Sequence, residues 1–325
     1  MGLQIKMWLL VSLMFGLLYA VITGVGSYLG VGNALFYVVL AGFFMGIQYL
    51  VGPALVAAIM RVRWVSEKEE PELHIMVAEL AQRASIPKPR LGISRISIPN
   101  AFAFGRSLKD GRVCVTEGIT RLLSKEELKA VLGHEIAHLK HRDMVVITVL
   151  SVVPLIFYWL AWSLMWGGMA GGRRREGGGY AALIGLAAFA LYFLTNLLVL
   201  YGSRIREYYA DERSVKIGNP PHYLASALYK LVYSSAQLRR SHRAKEELQR
   251  VQAVRAFFLN DVARASTEIQ DLKEVDTNLS GTIDQNELLA LRSKRIKLKG
   301  VEHIMEVFTT HPNMLKRIKR LASLV

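Results

Sequence analysis

The chain has 325 residues, 52% of them hydrophobic, with a mean hydropathy of +0.27 and a formal net charge of +15. Its single cysteine, Cys114, excludes an intrachain disulfide and suits a cytoplasmic domain. The apolar content points to a membrane protein, and the charge then points to acidic lipid head groups as a partner; no recognised motif supports nucleic acid.

From Met7 to Met60 there is no charged residue and no histidine. Gly30-Val31-Gly32-Asn33 divides this stretch into spans near 7–29 and 34–60, each long enough to cross about 30 Å of hydrocarbon. Gly52-Pro53 predicts a kink in the second. The first is too long for a signal-peptide core and is expected to be retained. Residues Glu67–Ser85 then read as a helix, stopped by Pro87 and Pro89. Extended segments follow at Arg90–Ser94, Ile96–Phe104 and Arg112–Thr116, with Lys109-Asp110-Gly111-Arg112 as a hairpin turn. Cys114, inside the last of these, reads as a buried structural residue. A sheet edge can pair with an extended peptide, and Asn100, Ala101, Phe102 and Ala103 lie in the candidate edge; their alternation fits an ordinary half-buried strand equally well.

The run from Ser124 to Met144 is strongly helical. Ser124 and Glu127 form a plausible capping box, and Leu128, Val131, Leu132, Ile136 and Leu139 supply an apolar stripe. Two further uncharged runs, Met144–Gly172 and Gly177–Ser203, make a second membrane hairpin, with aromatic residues such as Tyr158, Trp162 and Tyr201. In this four-span arrangement Lys6, Arg61, Arg63, Lys140, Arg142, Arg204 and Arg206 fall on one side, which places both termini and the polar domain in the cytoplasm. Arg173, Arg174 and Arg175 in the 171–179 loop run against that rule. Beyond the hairpin, Arg239, Arg240, Arg243, Lys245, Arg250 and Arg255 form a basic amphipathic segment suited to an anionic bilayer surface. The expected organisation is a membrane hairpin at 1–65, a first catalytic part at 66–143, the second hairpin at 144–203 and a second catalytic part at 204–325.

Chemistry is concentrated in His134-Glu135-Ile136-Ala137-His138. Residues four apart share a helical face, so both imidazoles can grip one zinc ion, with Glu135 placed as the general base that deprotonates a bound water. A catalytic zinc needs a third protein ligand. Glu207 and Asp211 are also four apart: Glu207 can complete a His2Glu set while Asp211 accepts the N–H of a ligating imidazole. Their competing reading is a solvated acidic helix end among Arg204, Arg206 and Arg213. The longer motif with a third histidine would need a glycine at 141 and a histidine at 144; the chain has His141 and Met144. His141 is roughly 10 Å along the axis from His134, too far to share its ion, and reads with Lys140 and Arg142 as a basic membrane-edge cluster.

Residues 276–287, DTNLSGTIDQNE, carry a second pattern. Asp276, Asn278, Ser280, Thr282, Asp284 and Glu287 occupy the ligand positions of an EF-hand loop, with Gly281 at the sharp turn and serine at the fifth position. Helix-like segments flank it at Thr267–Val275 and Glu287–Arg295. A polar helix–loop–helix connector without calcium is the competing reading.

Taken together, the H-E-x-x-H helix running into a membrane span, N-A-F-A at 100–103, R-E-Y-Y-A-D at 206–211 and T-H-P-N at 310–313 resemble the HtpX group of membrane-embedded zinc metalloproteases, relatives of the CAAX prenyl proteases. The resemblance implies a mainly α, multi-span membrane protein whose gluzincin-like zinc metalloprotease domain includes a small β-sheet. It implies zinc held by His134, His138 and Glu207, with Glu135 as base and acid and Asp211 behind a ligand. It also implies His311 as an electrophilic helper, with a turn residue before Pro312 as its alternative, and Arg317 steadying the acidic helix. The implied activity is endoproteolysis of damaged or misfolded membrane proteins at the cytoplasmic face. A prenyl-peptide protease is disfavoured by having only four spans to enclose a lipidated substrate. A membrane scaffold or calcium-responsive adaptor with a structural metal is disfavoured by the intact Glu135, for which structural zinc has no use.

Overall fold

The computed structural model of the protein describes residues 34–143, 150, 153–158, 160–162, 164–165, 178–238, 258–259, 264–272, 275–294 and 305–325, with positions 9, 12, 13, 16 and 17. Most of the expected first span, much of the 144–172 run, the three loop arginines and the basic segment 239–255 lie outside the described residues. The helices are α1 (Ala34–Ile59), α2 (Pro71–Ala84), α3 (Glu117–Leu122), α4 (Lys125–Lys140), α5 (Gly178–Lys216), α6 (Pro221–Leu238), α7 (Ala265–Leu272), α8 (Gln285–Ser293) and α9 (Met314–Ala322). The strands are β1 (Val62–Trp64), β2 (Arg90–Ser94), β3 (Ala101–Phe104) and β4 (Arg112–Thr116). The protein is thus mainly helical with one small mixed sheet.

Two compact units result: Met1–Leu50 with Val145–Ile205, and Val51–Met144 with Arg206–Val325. In the first, Leu150, Val153, Phe157 and Val199 form a local apolar core. Among the described residues one helix, Leu183–Lys216, is long and apolar enough to cross a membrane; Tyr49–Ile59 and Val153–Trp162 are shorter apolar helices. Pro53 lies inside α1, where the sequence predicted a kink.

In the second unit the sheet order is β1-β2-β4-β3, so β3 is an edge. β3 runs antiparallel to β4 with Phe102 opposite Cys114, while β2 and β4 are parallel. The strand β1, antiparallel to β2, had no warning in the sequence because it abuts the apolar run that ends at Met60. The β3–β4 connection is a hairpin, but longer than a tight turn: it includes a 3-10 turn over Leu108–Asp110. Gly105 there has φ +149, and a Cβ would strike the Asp110 carbonyl, so only glycine fits.

Period-two alternation decides what each face of β3 meets. Phe102 and Phe104 stack at 5.8 Å in a core with Met60, Ile98 and buried Cys114. Ala101 and Ala103 join the main core with Val131, Leu132 and Ile136 of α4. Their small side chains let α4 lie close under the strand. Burial pushes the Cys114 thiol pKa well up, so it stays protonated and inert, as its strand position predicted.

Helix α4 begins where the sequence placed it. Ser124 Oγ accepts from the Glu127 N–H at 3.3 Å and Glu127 Oε2 accepts from the Ser124 N–H at 2.8 Å, closing the capping box. Glu127 is buried by Ser226 Oγ at 2.6 Å and Lys230 Nζ at 2.8 Å, which ties the start of α4 to α6. One turn before the metal motif's end, α4 meets the C-terminal part of α5 closely. A Cβ on Gly133 would run into Asn219 Nδ2 and come within 2.8 Å of Ser214 Oγ. Ser214 Oγ donates to the Ala130 carbonyl at 2.7 Å, locking the depth of one helix against the other. This contact fixes how far along α4 the carboxylates of α5 arrive.

Candidate metal centre

The two helices bring His134 and His138 of α4 against Glu207 and Asp211 of α5, all nine-tenths or more buried. The imidazole Nε2 atoms face each other at 3.0 Å. Glu207 Oε2 lies 3.4 Å from His134 Nε2, and Glu207 Oε1 lies 3.5 Å from His138 Nε2. A tetrahedral zinc with bonds near 2.1 Å sets its ligand atoms roughly 3.3 Å apart. His134, His138 and Glu207 form the one group of this kind among the described residues.

The opposite ring nitrogens explain the orientation. His134 Nδ1 is 2.8 Å from Asp211 Oδ1, and His138 Nδ1 is 2.6 Å from Asp143 Oδ2. An ionised carboxylate only accepts, so each Nδ1 carries the hydrogen. With both rings neutral, as ligation requires, two Nε2 lone pairs aim at one point, an arrangement that repels unless a proton or a metal ion stands between them. This is the observation that the donor set suits a metal.

Asp143 was not singled out in the sequence. It lies one residue past Arg142, whose φ of +53 is the left-handed conformation that turns the chain back at the end of α4. That reversal lets a residue five after His138 reach its ring, and Arg206 Nε holds Asp143 at 3.1 Å. The only signal in the sequence was an acid just beyond a helix end with an arginine on α5. Asp143→Asn is expected to lower metal affinity about 10- to 100-fold, measured by competition with a chromophoric chelator. Unchanged affinity would mean that His138 is oriented without it.

Arg317 of α9 closes the cluster. Fully buried, it donates to Asp211 through Nε at 2.8 Å and Nη2 at 2.7 Å, and to the Leu259 carbonyl at 3.0 Å. Its Nη1 is 3.1 Å from Glu207 Oε2. Burial alone would raise the carboxyl pKa values of Glu207 and Asp211, but Arg317 and the imidazoles hold both below the usual range. Burial likewise works against charging His138; hydrogen bonds to Asp143 and Glu207 outweigh it and push that ring up to about 10 in the metal-free protein. His134 rises too, against burial, through Asp211 and Glu207. Three carboxylates thus face two guanidiniums across two imidazoles, a balance that favours added positive charge.

Glu135 is buried beside these groups, and burial first of all raises its pKa. The backbone of Ala103 in β3 lies beside its carboxyl. In β3 the Asn100 carbonyl accepts from the Thr116 N–H at 2.9 Å. By antiparallel alternation Phe102 and Phe104 also bond to β4, leaving the backbone groups of Ala101 and Ala103 directed away from β4. The Asn100 side chain turns elsewhere, accepting from the Leu259 N–H at 2.9 Å. His311 is buried, with Nδ1 at 3.7 Å from Glu207 Oε2, beyond hydrogen-bond reach. His141 stays out of the cluster and lies against Tyr209, ring centroids 6.0 Å apart, while Lys140 donates to the Ala84 carbonyl. The loop 276–287 forms a separate structure described below.

Comparison with known proteins agrees in extent. The profile described as Peptidase family M48 matches residues 67–325. "Protease HtpX homolog" of Methanothermobacter thermautotrophicus is 55% identical over 230 residues, covering 71% of this chain and 86% of its own. "Protease HtpX homolog 2" of Methanosarcina mazei is 34% identical over 322 residues, 99% of this chain and 95% of its own. The crystal structure of S. mikatae Ste24p has a TM-score of 0.52 at 16% identity, over 98% of this chain and 67% of that one, a likeness of fold.

Proposed function

Since the chain belongs to peptidase family M48, a family of metallopeptidases, we propose that it is an integral-membrane zinc endopeptidase acting on unfolded or damaged membrane proteins at the cytoplasmic face. The observation that carries this reading is the convergence of both Nε2 atoms and Glu207 on one point, with Glu135 next in line on the same helix. We assign His134, His138 and Glu207 as the zinc ligands.

Zinc held there supplies Lewis acidity, lowering the pKa of a water and polarising the scissile carbonyl. The rest falls to the chain's own residues. Glu135 takes a proton from the attacking water and delivers it to the leaving amine nitrogen, a shuttle favoured by a carboxyl whose pKa burial has raised. Asp211 and Asp143 keep the imidazoles in the tautomer that presents Nε2. Arg317 holds Glu207 and Asp211 ionised in a buried setting. His311, with Nδ1 3.7 Å from Glu207 Oε2, serves as a donor to the oxygen that gains charge in the transition state. The substrate backbone pairs with the side of β3 that faces away from β4, at Ala101 and Ala103, which brings its carbonyl beside Glu135.

The apolar helix Leu183–Lys216 supports membrane residence. A four-span topology with both termini cytoplasmic is the arrangement that the basic residues flanking the apolar runs favour. A scaffold reading leaves Glu135 buried without a task.

Metal removal tests the proposal. Chain purified in detergent and stripped with chelator is expected to stop cleaving an unfolded polypeptide and to recover with about one zinc per chain. Cleavage that persists after the metal is removed would reject it.

A further inference from the structure

The loop 276–287 takes no part in the metal centre, yet its conformation is specific. Asp276, only 2% exposed, accepts from the Ser280 and Gly281 N–H groups at 2.9 Å each and from Tyr229 Oη at 3.0 Å. Asn278 Oδ1 accepts a second bond from the Ser280 N–H at 2.9 Å. Gly281, at the sixth position, has φ +77. Asp284, at the ninth, caps α8 by accepting from the Glu287 N–H at 2.8 Å. Ile283, at the eighth, is buried in the main core with Leu288 and Leu291. The loop therefore lies between α7 and α8, in the order of helix, loop and helix that the spacing demanded.

A second observation is electrostatic. Asp276 and Glu287 are both more than nine-tenths buried. Only neutral donors reach them: Glu287 Oε1 accepts from the N–H groups of Thr277 and Asn278 at 2.7 and 3.2 Å, and Oε2 from that of Asp284 at 3.1 Å. Among the described residues no Lys, Arg or His forms an ion pair with Asp276, Asp284 or Glu287. By contrast, the buried acids Glu127, Asp143, Glu207, Asp211 and Glu306 of the same unit each have a cationic neighbour. Buried carboxylates in proteins are paired or coordinate a metal, and in a chain of net charge +15 these were left unpaired.

We propose that residues 276–287 bind a calcium ion. The ligands are the side chains of Asp276, Asn278 and Ser280, the Thr282 carbonyl, Asp284 directly or through water, and both oxygens of Glu287. To coordinate, Glu287 exchanges its bonds to Thr277 and Asn278 for the ion. That exchange, the neutral Ser280 and a total of three carboxylates place the affinity in the weak range, roughly 10⁻⁴–10⁻³ M. Occupancy bears on the metal centre, because α8 and α9 share one core through Leu288, Leu291, Ile318 and Leu321, and α9 carries Arg317.

Tyr229 provides the probe, since its phenol can sensitise terbium luminescence at Asp276. The full chain, zinc-saturated in neutral detergent with excess magnesium, is titrated with Tb3+ and then with Ca2+. The expected result is tyrosine-excited emission that calcium displaces. The calcium midpoint should weaken at least tenfold in Glu287→Gln and tighten about fivefold in Ser280→Asp, which adds a carboxylate. Should Glu287→Gln fail to fold, Ser280→Asp decides alone. Emission that calcium does not displace, or a midpoint that neither variant moves, overturns the proposal.

Discussion

Glu135→Gln is expected to leave zinc bound one to one and to lower kcat/KM for peptide cleavage by about 10³-fold. Glutamine keeps the shape and volume of the buried side chain, so the pocket beside α4 loses a proton carrier and little else. The proposed ligands are other side chains, held by Asp211, Asp143 and Arg317. Metal content and cleavage therefore separate in this variant, and they should be measured on the same preparation. Cleavage at the wild-type rate would remove Glu135 from the chemistry; loss of zinc along with activity would mean that its role is structural.

The second large effect is expected at Arg317. Truncation to alanine removes the guanidinium that donates twice to Asp211 and lies 3.1 Å from Glu207. Two buried carboxylates are then left facing each other. Breaking a buried ion pair by removing one partner costs about 3–5 kcal/mol, and the zinc-free protein should show this as a loss of unfolding stability in denaturant titration. Zinc should restore part of it, because the ion supplies positive charge at the same place. Lysine should not substitute, since an ammonium cannot span Asp211, Glu207 and the Leu259 carbonyl in one plane. A zinc-free stability within about 1 kcal/mol of wild type would show that the carboxylates find their compensation elsewhere.

What the sequence made readable follows from helical periodicity. His134 and His138, like Glu207 and Asp211, are four apart on helices, so their shared faces could be read before any fold was known. The capping box at Ser124 was legible for the same reason: it is local. Asp143 was not, because its reach depends on one backbone dihedral at Arg142, a residue type with no particular liking for positive φ. Arg317 entered only by family resemblance; nothing near it in sequence says that it will be fully buried 106 residues from its partner Asp211. Asn100 stood in the expected edge strand, yet its side chain serves Leu259, a contact between distant segments that no local pattern encodes. The strand β1 was hidden by the apolar run before it. The helix α5 was foreseen in two pieces, a span and a ligand segment, and is one continuous helix over Gly178–Lys216.

The dependence on Arg317 has a consequence for biosynthesis. The imidazoles are translated first, the acidic pair some seventy residues later, and the arginine last, on α9. If truncation at Arg317 weakens the cluster as expected, a nascent chain carries every proposed ligand and the proposed base and still lacks a settled active centre until that helix emerges. Translation order would then act as a timer, keeping a peptidase made at the membrane silent towards its own unfinished neighbours until α9 is in place.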